Sequence, residues 1–306
     1  MRFAPPTLRG PGSWKLIQRR GPRPARRELP ARASATVWVL VGCCLLAVWF
    51  LLYALVLSGL QEARAQTLLY AQIREQFALG TGPVDGPIPY GSPVAVMSAK
   101  SVGLTDVVVV EGTTAAELTA GPGHLSNTPL PGEVGVSVIM GRSTTFGRPF
   151  GEITSLRSGD EMTITTSLGT FTYTVSGVRY PGDRLPAALP AGGARLVLVT
   201  TYAEGWRSGW APDQTVFVDA TLKGKAQPTG RTPSTIPDTA LPMQGLPSAL
   251  MPLVLWMQGL VLAAVGIVWG RQRWSGWTTW LVGLPVAIAL LWAAAETAIL
   301  LLPNVI

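Results

Sequence analysis

Apolar residues run almost unbroken in three places along the chain and alternate with polar ones in between. The runs extend from Ala35 to Leu60, from Leu246 to Gly270 and from Trp277 to Leu302. Each exceeds the roughly 20 helical residues that cross a bilayer's hydrocarbon core of about 30 Å. Beyond the first run, Leu68, Leu69, Ile73 and Phe77 recur at helical spacing, predicting that the helix continues out of the apolar region as an amphipathic stalk. Gly80-Thr81-Gly82-Pro83 stops it. The period then changes to the short β-rich runs of a barrel or sandwich: Val94 to Ser98, Asp106 to Glu111, Val136 to Met140, Met162 to Thr166, Thr170 to Val175, Arg195 to Tyr202 and Thr215 to Thr221. Thr163, Thr165, Thr170, Thr172 and Thr174 flank Leu168-Gly169 and predict a hairpin there.

The resulting order is a basic, Pro-rich disordered tail (1–34), a first span (35–60), a stalk and linker (61–90), a β domain (91–222), a flexible Pro/Thr/Gly-rich linker (223–245) and two further spans (246–270 and 277–302). Charge gives this order a direction. Nine basic residues and one acid, Glu28, precede the first span, which places that end in the cytoplasm, and Arg271 and Arg273 put the loop between the last two spans on the same side. The first apolar run is longer than that of a cleaved signal peptide, so an uncleaved anchor is expected. The localisation that follows is a multi-pass plasma-membrane protein with its β domain outside.

The net charge of +7 would suit nucleic acid if it were spread over the chain. It is not, because residues 61–245 hold 13 basic and 15 acidic side chains. The basic excess is a topology signal, and membrane lipids, not nucleic acid, are the expected partner of the tail. Cys43 and Cys44, the only cysteines, sit together in the first span as small apolar filler, so the β domain has neither a disulfide nor a thiol. No His, Cys or Asp cluster suggests a metal, and no cofactor is expected. Within the last two spans Gln258 and Glu296 are polar groups that need a partner helix or, for Glu296, a reach toward water. Gly259 to Gly266 supplies small residues for close helix approach.

Five ordered pieces carry a family resemblance: VVVVEGTTAAEL (107–118), GPGHLSNTPLPGEVG (121–135), VIMGRSTTFGRPFGEI (138–153), GTFTYTV (169–175) and LVLVTTYAEGWRSGWAPDQTVFVDA (196–220). Together they make residues 91–222 resemble the catalytic domain of sortases, the Gram-positive transpeptidases, and most closely the class E type of actinobacteria. The resemblance implies a mainly β fold, an eight-stranded β-barrel with a peptide groove, carried here with three transmembrane α-helices.

Sortases cleave a sorting signal with a Cys thiolate, a His and an Arg. By the resemblance Arg142 occupies the place of that His, in Gly141-Arg142-Ser143, and Thr201 the place of the Cys, in Thr200-Thr201-Tyr202. Gln214, in Gln214-Thr215, stands where the Arg opens the next strand. An arginine does not exchange protons near neutral pH, and a threonine hydroxyl is a weak nucleophile without an adjoining base. Loss of one oxyanion donor slows a reaction by about 100- to 1000-fold, whereas loss of nucleophile and base removes the chemistry.

The sole histidine, His124, reads as a structural loop residue, and Glu111, Glu117 and Glu133 as solvated loop charges. Trp206, Arg207 and Trp210 form either a peptide-binding rim or a Trp-anchored loop packed on its own barrel. The expected function is a membrane-anchored pseudo-sortase that binds a cell-envelope or sorting-signal partner. Two alternatives are a divergent transpeptidase or hydrolase using Thr201 or a residue from a partner, and a membrane scaffold subunit.

Overall fold

The computed structural model of the chain describes residues 31–203, 205 and 212–306, so the basic tail lies outside the described residues up to position 30. The chain divides into Met1–Leu45, helical where described, and Leu46–Ile306.

Helix α1 (Ala31–Leu52) passes through a π-turn at Tyr53–Leu57 into α2 (Ser58–Leu79). The left-handed Gly80 closes α2, its N–H reaching the carbonyls of Gln76 and Phe77. The stalk face is real but narrower than its apolar spacing suggests. Ile73 is buried and Leu69 and Phe77 are half-buried, while Leu68 points away and is 63% exposed. A polar residue does much of the fastening. The Gln66 carboxamide accepts from the Val108 N–H at 2.8 Å and donates to the carbonyls of Val108 and Ala120, as a neighbouring strand would.

The β domain is a closed barrel of eight strands: β1 (Pro93–Ala99), β2 (Leu104–Glu111), β3 (Gly123–His124), β4 (Gly135–Met140), β5 (Glu161–Thr166), β6 (Gly169–Arg179), β7 (Ala194–Tyr202) and β8 (Gln214–Lys223), in the order β1-β2-β3-β4-β7-β8-β6-β5. Closure leaves no free edge. Seven strands coincide with the predicted runs, and the eighth, β3, has too few residues to show a period. The predicted hairpin is the β5–β6 turn, with Thr166 opposite Gly169. Most pairs are antiparallel, but β4 runs parallel to β7, so their C-terminal ends meet at one end of the barrel. Alternating residues of the strands fill the interior, among them Val109, Ile139, Met162, Ile164, Tyr173, Leu196, Leu198 and Val218.

Helices α3 (Leu250–Arg273) and α4 (Gly276–Ile299) follow as a hairpin. Gly283 permits their approach, since a Cβ there would lie 2.7 Å from the Ile267 side chain. Three helices, Thr36–Leu79, Pro247–Arg273 and Gly276–Ile299, are long and apolar enough to cross a membrane. Glu296 is satisfied inside the chain, accepting from Gln61 Nε2 at 3.0 Å, whereas Gln258 is exposed on α3 among the described residues.

The stretch 223–245, expected as a flexible linker, is laid along the barrel. Gln227 exchanges main-chain bonds with Gly132 and Val134, the Gly230 N–H reaches Glu133, and Thr113 donates to the Ala240 carbonyl. Pro and Gly deny it a regular period, but its main chain still finds partners.

Candidate functional site

Arg142 and Thr201 lie where β4 and β7 end side by side. Gly141 continues the ladder, its N–H bonded to the Val199 carbonyl, and its own carbonyl accepts from the Thr200 hydroxyl. A Cβ at Gly141 would stand 2.5 Å from the Phe150 ring, so only glycine allows the chain to turn there. The turn sends Arg142 inward. Its guanidinium is 0% exposed. It donates to the carbonyls of Leu118 (3.0 Å) and Ala115 (3.0 Å), to Thr145 Oγ1 (3.1 Å) and toward the Ile306 main-chain oxygen (3.4 Å). The Phe146 ring lies 4.8 Å from it. Burial pulls the group down to about 9, which still leaves it cationic at neutral pH. The Leu118 and Ala115 carbonyls and the Thr145 hydroxyl are neutral acceptors, and the guanidinium has no proton to exchange with them.

The loop after Arg142 is held from outside the barrel. Phe146, in a left-handed conformation rare for an aromatic residue, packs with Tyr53, Ala54, Ala295 and Ile299, and its N–H donates to Ser58 Oγ at 2.9 Å. The barrel site and the barrel-facing ends of the apolar helices are therefore joined through this loop.

Thr201 is buried beside Arg142's loop. Its hydroxyl donates to the Val305 main-chain oxygen at 3.0 Å and shares a hydrogen bond with Ser143 Oγ. The Ser143 N–H donates to the same Val305 oxygen at 3.1 Å. One carbonyl is thus held by two donors, as an oxyanion would be. That hydroxyl has two oxygens to share its one proton with, the Val305 carbonyl and Ser143 Oγ. Among the described residues no imidazole, carboxylate or amine adjoins the hydroxyl to act as base.

Both residues meet the segment that follows α4. Pro303–Ile306 forms a tight turn, Ile306 N–H to Pro303 carbonyl, and covers this end of the barrel. Val305 is fully buried among Leu118, Met140, Val197 and Val199. Asn304, also fully buried, donates to the carbonyls of Thr113 (2.7 Å) and Leu241 (3.0 Å). Thr145 Oγ1 donates to the Ile306 oxygen at 2.6 Å. Nothing in the apolar pattern of the last span announced that its end would leave the helix and enter the barrel. The signal available was Pro303, which cannot continue a helix, followed by a polar Asn304.

Gln214 stands apart from this arrangement. It is exposed at the start of β8 and pairs with Tyr202, while Thr215 pairs with Thr201. Side chains alternate along a strand, so Thr215, not Gln214, shares the face of Thr201. Trp206, Arg207 and Trp210 lie outside the described residues.

His124 is buried on β3 with both ring nitrogens facing oxygen. Nδ1 is 2.8 Å from Glu111 Oε2, and Nε2 is 3.0 Å from the Pro129 carbonyl and 3.2 Å from Thr128 Oγ1. Carboxylate, imidazole and hydroxyl in a row have the outline of a triad. The Thr128 proton, however, goes to the Leu125 carbonyl at 2.7 Å, and the adjoining cavity measures about 20 Å³, room for a water and not for a peptide. The set fastens the loop after β3.

The acids read as solvated charges are not all so. Glu111 and Glu133 are each 3% exposed. Glu111 pairs with His124, and Glu133 accepts from the Leu130 and Gly230 amides. Glu117 closes a short turn onto the Thr114 amide. A histidine 13 positions away and main-chain amides are partners invisible to charge patterning.

A sortase-domain family model matches residues 97–220. No curated relative matches the chain. Among solved structures, a sortase transpeptidase from Clostridium perfringens is 24% identical with a TM-score of 0.43, over 53% of this chain and 99% of that one. The SrtA sortase from Actinomyces oris is 26% identical with a TM-score of 0.40, over 52% and 96%. A variant of sortase E from Streptomyces avermitilis is 28% identical with a TM-score of 0.35, over 50% and 100%. Residues 97–220 are a sortase-like domain, in a chain with three helices of membrane-spanning length and apolarity.

Proposed function

We propose that the chain is a membrane-anchored, non-catalytic sortase-like protein whose barrel binds peptide without cutting it, the partner being a sorting-signal or other cell-envelope protein. The observation that supports this most is the setting of Thr201. Its hydroxyl points at a carbonyl oxygen and is assisted by a second hydroxyl, with a fixed cation close by. An acyl transfer needs a nucleophile directed at the carbonyl carbon and a base to take its proton. A donor aimed at the oxygen serves recognition instead. On this reading Arg142 and Thr201 stand where sortases keep His and Cys, and the basic tail and three spans keep the barrel outside the plasma membrane.

The two donors on Val305 oxygen also suit a rival, a divergent transpeptidase with Thr201 as nucleophile. Incubating the purified full-length protein with a fluorogenic sorting-signal peptide, with and without an amine acceptor, separates the two. The binder leaves fluorescence at the level of buffer. Turnover that disappears in Thr201→Ala would establish the rival.

A further inference from the structure

The barrel closes on its own eight strands, and its main core is complete without any residue after α4. Residues 303–306 add no strand. They also lie outside the segment that matches the sortase domain. What they do is cover a set of polar groups that would otherwise face solvent at the barrel end: the Arg142 guanidinium, the Ser143 amide and the hydroxyls of Thr145 and Thr201. These groups donate to two successive main-chain oxygens, those of Val305 and Ile306.

That arrangement is selective in three ways. Main-chain oxygens are read by donors without regard to side chain, which fixes register. The Val305 side chain enters an apolar pocket that suits a small β-branched group. The Asn304 carboxamide is read by two carbonyls, Thr113 and Leu241, which require a donor at that position. Proline before them favours the bend, since Pro303 fixes its own φ and restricts Leu302 to extended backbone.

Resting on the reading of the barrel as a peptide binder, we propose that this end of the barrel is a receptor for a peptide turn and that Pro303–Ile306 is its resident intramolecular ligand. A peptide of the same chemistry, with a side-chain amide followed by a small β-branched residue after proline, takes the site by displacing it. The resident turn is tethered to α4 by only Leu300–Leu302, so its effective concentration at the site is high and a free peptide competes at a disadvantage. It also means that occupancy by another peptide frees the end of α4. The Asn304 Oδ1 has no protein donor among the described residues, a cost that weakens the resident turn's hold on the site.

The test uses full-length protein in detergent and a dye-labelled hexapeptide of sequence Leu-Leu-Pro-Asn-Val-Ile with blocked ends. Fluorescence anisotropy compares wild type, a variant ending at Leu302, and full-length Val305→Asp. If the resident turn fills the site nine-tenths of the time or more, both variants bind the peptide at least about tenfold tighter than wild type. Thr201→Val in the shortened variant lowers that affinity. Equal affinity in wild type and variants, or no saturable binding by a shortened variant with native circular dichroism, would overturn the proposal. Should both variants fail to fold, hydrogen exchange on wild type decides. Exchange of the Asn304 and Ile306 amides far faster than the most protected barrel amides supports a displaceable ligand, and exchange only by global unfolding makes the turn part of the core and overturns it. Turnover of the peptide in any arm would sink the non-catalytic reading, and leaves the displacement result to be judged separately.

Discussion

Thr201 donates its hydroxyl proton to the main-chain oxygen of Val305, a residue 104 positions further along the chain. The relationship joins the end of the apolar helix hairpin to the end of β7. It places a peptide carbonyl, supplied by the protein itself, against the residue that the sortase resemblance sets in the nucleophile's place.

Arg142, which the resemblance sets in the place of the sortase His, is covered on all sides. Removing it leaves the Ala115 and Leu118 carbonyls without their donor and opens a void. Arg142→Ala should therefore lower stability by on the order of 3 kcal/mol. Chemical denaturation in detergent checks this, and an unchanged midpoint would mean that the guanidinium is not buried in solution.

Gln66 fastens α2 to β2 through bonds that a leucine cannot make. Gln66→Leu keeps the helix and loses the fastening, at about 1–3 kcal/mol. The local reading is sharper than the global one: exchange of the Val108 amide should rise in the variant while amides of the β7–β8 ladder stay protected.

Burial raises the carboxyl of Glu133 above its ordinary range, an effect that the Leu130 and Gly230 amides only partly offset. The native state then holds this proton more tightly than the unfolded chain. Stability from this group is greatest below the unfolded carboxylate range and declines as pH rises from about 4 through the raised value. Glu133→Gln cannot titrate and keeps an acceptor for the Leu130 amide. Its thermal midpoint should fall less than that of wild type as pH rises above about 4, and identical profiles would exclude Glu133 as a source of the slope.

Because Val305 is packed into the barrel, the residues after α4 and the barrel belong on one side of any membrane the helices cross. If each of the three helices crosses once, as the proposed topology requires, the Trp274-Ser275 turn between α3 and α4 lies on the opposite side. A reporter inserted at that turn should read cytoplasmic. An external reading would overturn the three-span arrangement.

Most of the barrel was legible because its strands are long enough to alternate and its turns carry Gly and Pro. Strand β3 was not, since two residues have no period, and it is placed by pairing with both Val110–Glu111 and Ile139–Met140. Leu68 belonged to the predicted stalk face by spacing alone. What faces the barrel was decided by Ile73 and by the polar Gln66, whose partner is main chain 42 positions away. The positions of Arg142 and Thr201 at one barrel end were implied by the resemblance, whereas Gln214 sits on the other face of its strand from Thr201's neighbour. The covering turn could not be read, because its ties to Thr113, Gln244 and Ser143 depend wholly on how the chain returns.

The most direct test of a barrel that binds without cutting is made where its own turn no longer covers Thr201. The variant ending at Leu302 is incubated with a sorting-signal peptide and an amine acceptor, and both the intact protein mass and the peptide products are measured. A non-catalytic site gives unmodified protein and intact peptide. An acyl adduct on Thr201, or a cleaved or transferred peptide that Thr201→Ala abolishes, would contradict it.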